Sequence, residues 1–77
     1  MSEASEDTLR AVAACKSIFD GRHPQRDMAS VLVTAEHAIA ALLLAMYPGD
    51  PATAARMLNE GLVEGIERRL SLYASKI

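Results

Sequence analysis

Residues 28–47, MASVLVTAEHAIAALLLAMY, predict a helix with apolar or small side chains on almost every side. A helix that is apolar all round has to be buried, by its own chain, by a partner or by both. Met28, Leu32, Ala35, Ile39, Leu42 and Met46 follow a 4-3-4-3-4 spacing, which places them on one coiled-coil-type seam. A second seam runs along the opposite side through Val33, His37, Ala40 and Leu44. A third line, Thr34, Ala38, Ala41 and Ala45, is entirely small and would let a neighbouring helix come close. Ser30 and Glu36 are the main polar exits, so solvent is left with little of this helix.

Working outward on the N-terminal side, residues 1–6 are polar and acidic and are expected to be disordered. From Asp7 to about Asp20, Leu9, Val12, Ala13 and Phe19 fall largely on one face of an amphipathic helix. Gly21 supplies its stop, His23-Pro24 reinforces it, and Asp27 is placed to cap the central helix. On the C-terminal side, Tyr47-Pro48-Gly49-Asp50-Pro51 is a sharp break: Pro48 and Gly49 end one helix, Asp50 caps the next and Pro51 takes its first position.

The last helix, from Pro51 to about Ser75, carries an apolar stripe of Ala55, Leu58, Leu62, Ile66, Leu70, Tyr73 and Ile77. Arg56-Glu60 and Glu64-Arg68 have the i,i+4 spacing of mild surface ion pairs. Gly61 and Gly65 each cost about 1 kcal/mol relative to alanine inside a helix, so two of them one turn apart suggest another backbone packing closely.

These signals predict an all-α fold: a helical hairpin, 28–47 against 51–75, plus the N-terminal helix, forming one three-helix domain over 7–77. In the hairpin, Leu32, Ile39, Leu42 and Met46 face Leu58, Leu62, Ile66 and Leu70. Seventy-seven residues bury only about 60% of the surface their unfolded chain exposes, and the single cysteine, Cys15, forms no internal disulfide. Two flanking helices cover two sides of a central helix that has apolar or small residues on at least three. A homodimer is the expected remedy, through Val33, His37, Ala40 and Leu44, with the Thr34 line as alternative and Gly61 and Gly65 as a further close contact.

A net charge of -2 with no Lys/Arg cluster argues against a broad nucleic-acid surface. No basic and apolar leader opens the chain, and its longest unbroken apolar run, Ala38 to Tyr47, falls short of a membrane span. The expectation is therefore a cytoplasmic protein without membrane contact. No catalytic, cofactor or metal site is predicted. His37 reads as a buried histidine: Glu36 is its neighbour and points about 100° away, unlike the Glu-x-x-His of di-iron bundles. Cys15 reads as a buried small hydrophobe. Glu60, Glu64 and Glu67 read as a solvated face neutralised by arginines. Arg22, His23 and Arg26 form a compact basic loop, a candidate contact for an anion or an acidic partner. The functional expectation is a regulator, adaptor or inhibitor that self-associates and binds another, unidentified protein. Its rivals are a dimeric DNA-associated regulator using loop 22–26 and, last, an enzyme with an interface pocket around His37, Glu36 and Cys15.

Overall fold

The computed structural model describes residues 3–74, and these are helical throughout apart from short connections. In order they form α1 (Glu3–Phe19), α2 (Met28–Met46), α3 (Pro51–Met57), a π-helical segment (Leu58–Leu62) and α4 (Val63–Ala74). Backbone angles stay helical at Leu58 and at Val63, so α3, the π segment and α4 make one continuous helical stretch, the third of the chain. Residues 1–2 of the predicted disordered segment, and Ser75 and Ile77 at the end of the predicted hairpin, lie outside the described residues. The chain divides into two units, Met1–Ile39 and Ala40–Ile77, with the division inside α2.

In the first unit, α1 starts at Glu3, upstream of the expected Asp7. Arg10 helps to hold this turn, reaching Asp7 at 2.6 Å and Glu6 at 3.7 Å, exposed pairs worth about 0.3–0.5 kcal/mol each. The helix stops because Asp20 (φ 47°) and Gly21 (φ 76°) both turn left-handed, a conformation that aspartate tolerates better than most residues and glycine adopts freely. Arg22 then folds back over the helix end. Its Nε donates to the Phe19 carbonyl at 3.0 Å, and a terminal nitrogen donates to the Ile18 carbonyl and, at 2.9 Å, to Thr34 Oγ1. The other terminal nitrogen donates to Ser30 Oγ at 3.2 Å. One guanidinium thus satisfies orphan carbonyls at the negative end of α1 while gripping two hydroxyls one turn apart on α2. Around this clasp Ile18, Phe19, Val31, Thr34 and Ala35 are half-buried.

The loop between the clasp and α2 is held locally. His23 Nδ1 accepts from the backbone N–H groups of Gln25 and Arg26, at 3.2 and 3.1 Å, which places the neutral ring's proton on Nε2. Asp27, expected to cap α2 forward, instead accepts from the His23 N–H at 2.8 Å. Its carboxylate closes the loop.

In the second unit the Pro-Gly break behaves as the sequence predicts. Gly49 takes φ 75°, and Asp50 caps α3, with Oδ1 accepting the Thr53 N–H at 3.1 Å and Oδ2 the Thr53 hydroxyl at 2.6 Å. Pro51 follows at the first helical position. Leu43 of α2 and Ala54 of α3, each 5% exposed, are the buried hydrophobic residues among those described. The expected hairpin core is not a buried seam within this chain: Leu42, Met46 and Ile66 are exposed, and Leu70 is 62% exposed.

For Ile66 and Leu70 the π segment gives the physical reason. Its i→i+5 bonding admits an extra residue into the helix and rotates everything beyond it by roughly 100° relative to a regular helix. The stripe inferred from a uniform 3.6-residue period is therefore broken. Leu58 and Leu62 are half-buried, Gly65 is half-buried beyond them, and Ile66, Leu70 and Tyr73 turn outward.

Two outcomes test these joints. Arg22→Ala should destabilise the protein by about 1–3 kcal/mol in urea denaturation, because four hydrogen bonds from one charged group are lost. Arg22→Lys should recover little, since an ammonium cannot span the fork. At Asp50, the Thr53 hydroxyl and then the Thr53 N–H hold the carboxyl below the ordinary carboxylate range. A lowered folded-state pKa contributes stability that is present above the unfolded value and lost as pH falls through the folded one. Helical circular dichroism of the native chain should accordingly decline more on acidification below that range than that of Asp50→Asn, whose cap does not titrate.

Candidate functional site

Helix α2 is the most apolar element of the chain, and most of its large side chains lack cover. Met28, Leu32, Val33, Leu42, Leu44 and Met46 are all half or more exposed. Burial touches Val31, Thr34, Ala35 and Ile39 in its first part, and Leu43 in its second. None of these belongs to the seam Val33, His37, Ala40 and Leu44. Val33 and Leu44 are each 50% exposed, and His37 and Ala40 between them are exposed as well. Val33 and His37 are thus open in the first unit, and Ala40 and Leu44 in the second.

The alternative line is open in part. Ala38, Ala41 and Ala45 are exposed, but Thr34 is half-buried, accepting from Arg22 and donating to the Ser30 carbonyl at 3.3 Å. A neighbouring helix could not settle on this line without meeting the clasp at its first residue.

Three expectations need correction. His37, expected to be buried, is exposed: the half-buried positions near it, Thr34, Ala35 and Ile39, lie on another side of α2. Cys15, expected inside, is exposed on α1. At Gly61 the close neighbour is not another backbone: a Cβ there would stand 3.1 Å from the terminal methyl of Met57, one turn earlier in the same helix. Around Gly65 nothing lies within 4 Å of the Cβ position.

The basic loop changes character in the structure. Arg22, the residue that made it a candidate anion contact, is spent on the α1–α2 clasp, and the His23 ring is turned onto the loop's own backbone. Arg26 remains exposed. Farther on, Glu64 pairs with Arg68 at 3.6 Å as the i,i+4 spacing predicts, whereas Arg56 turns to the Thr53 hydroxyl at 3.4 Å rather than to Glu60. Among the described residues no three His, Cys, Asp or Glu side chains gather as a metal site would require.

Sequence reasoning missed the role of Arg22 and the burial of Leu43. For Arg22 a signal was present: a basic residue directly after an Asp-Gly helix stop is positioned to reach back to the last carbonyls. Leu43 lies on none of the three lines drawn along α2. By length and composition, α2 is also apolar enough to cross a membrane. The earlier criterion of an unbroken apolar run missed this, because Glu36 and His37 interrupt an otherwise continuous stretch.

Compared with family models, with curated proteins and with solved structures, the chain matches none.

The glycines give a direct test. With open space around Gly65, Gly65→Ala should raise helix stability by about 0.5–1 kcal/mol in thermal unfolding of dilute protein. If the substitution instead weakens self-association at higher concentration, the Gly65 surface belongs to an interface.

Proposed function

We propose that the protein acts by association, as a small cytoplasmic regulator or adaptor that dimerises through the open face of α2 and presents the completed bundle to another protein. The observation that carries this reading is the amount of uncovered surface. Leu32, Val33, Leu42 and Leu44 of α2 are each half or more exposed, and soluble monomers seldom leave contiguous apolar patches of this kind uncovered. In the dimer, the partner's helices supply the cover that the hairpin 28–47/51–75 lacks, and His37 passes from solvent into the interface.

The apolar length of α2 favours a second reading, insertion in a membrane. Glu36 and His37 at the middle of the helix count against it, since an ionised side chain at the centre of a membrane span costs about 2.5–3.5 kcal/mol on insertion scales. The DNA-associated reading loses its main support with Arg22 committed to the clasp.

Sedimentation at micromolar concentration should give a dimer. Leu44 is exposed in the single chain, so Leu44→Glu should leave helix content intact and yield a monomer; a native chain that sediments as a monomer would defeat the homodimer.

A further inference from the structure

We infer that the segment Leu58–Leu62 is a two-register device. In the observed π form, Ile66, Leu70 and Tyr73 turn away from the face that Leu58 and Leu62 share; in an α form of the same residues they return to it. α3, the π segment and α4 run on without a break inside one unit of the chain, so the change is a turn of roughly 100° around a single helix axis. It belongs to the single chain, whether or not that chain self-associates.

Two patterns in the sequence fit the α form and not the π form. In the apolar stripe Ala55, Leu58, Leu62, Ile66, Leu70 and Tyr73, the first and last members lie 18 positions apart, five turns at 3.6 residues each. The structure breaks this stripe after Leu62: Leu58 and Leu62 are half-buried, while Ile66 is 42% exposed and Leu70 and Tyr73 are 62% exposed. The charges divide in the same way. Glu64 and Arg68, within regular α4, pair at 3.6 Å, but Arg56, whose i,i+4 partner Glu60 lies inside the π segment, donates to the Thr53 hydroxyl at 3.4 Å instead.

The π form is marked by the bond from the Val63 N–H to the Leu58 carbonyl, five residues back, whereas the Leu58 N–H bonds regularly to the Ala54 carbonyl, four back. Passing the Val63 bond to the Asn59 carbonyl restores α spacing and exchanges one backbone bond for another. Gly61 works against that exchange. Glycine is, after proline, the weakest former of a regular helix, and the terminal methyl of Met57 stands 3.1 Å from where a Cβ at Gly61 would be. The side-chain pattern thus favours one register and the local backbone the other, a conflict that leaves two arrangements close in free energy.

The register is read by nuclear magnetic resonance on the intact labelled chain, through the coupling that crosses each backbone hydrogen bond. In the native chain the Val63 amide should couple to the Leu58 carbonyl, and the amides of residues 58–63 should show microsecond-to-millisecond exchange. Gly61→Ala, with helix content verified by circular dichroism, should pass most of that coupling to the Asn59 carbonyl. Deleting Asn59 removes the extra residue and fixes the π orientation in a regular helix, so Gly61→Ala added to the deletion should leave the Leu58 coupling in place. A Val63 amide that stays on Leu58 in both the native chain and Gly61→Ala would make the π segment a fixed irregularity and overturn the inference, as would a native chain coupled to Asn59 alone.

Discussion

A nineteen-residue helix, apolar or small on nearly all sides, has to be kept from water by a chain of seventy-seven residues. That constraint governs the molecule. The chain meets it only in part: Leu43 and Ala54 are its buried hydrophobic residues among those described, and large side chains on α2 such as Leu32, Leu42 and Leu44 stay open. Because the hydrophobic contribution scales with the apolar area removed from water, the described residues gain little of it within the chain. Apolar side chains that an ordinary domain would bury inside itself are here exposed.

The firm parts of the structure are polar and local. At one joint, the Arg22 guanidinium holds the last carbonyls of α1 and two hydroxyls of α2; at another, Asp50 and Thr53 set the start of α3. Such bonds fix directions rather than supply much net stability, since each replaces a bond to water and is worth about 1 kcal/mol, somewhat more where a charge is involved. They set where helices begin and end. Dispersion and burial, which would lock helices along their lengths, are left to whatever covers α2.

The π segment shows how a small local irregularity redirects a helix face. An extra residue in the helix at Leu58–Leu62 turns Ile66, Leu70 and Tyr73 away from the side that Leu58 and Leu62 share. Gly61 lies within that segment, where its missing Cβ leaves room for the Met57 side chain. An unusual glycine inside a helix was legible as a signal, yet its meaning was not: the same residue suits a close backbone contact and an irregular turn.

Much of the secondary structure followed from the sequence alone, because caps and stops are short-range chemistry. Gly21, Pro48-Gly49, Asp50 and Pro51 act within a few residues of themselves, and the helices begin and end close to where they place them. The all-apolar character of α2 was equally legible, being a matter of spacing along one helix. What only the tertiary structure decided was which side of each helix is covered. His37 and Cys15 turned out exposed and Leu43 buried, and Arg22 became a clasp instead of a free cation. Periodicity reports what a face is made of; the side that loses its water depends on where other helices lie, and in this chain there are too few of them to cover every apolar face.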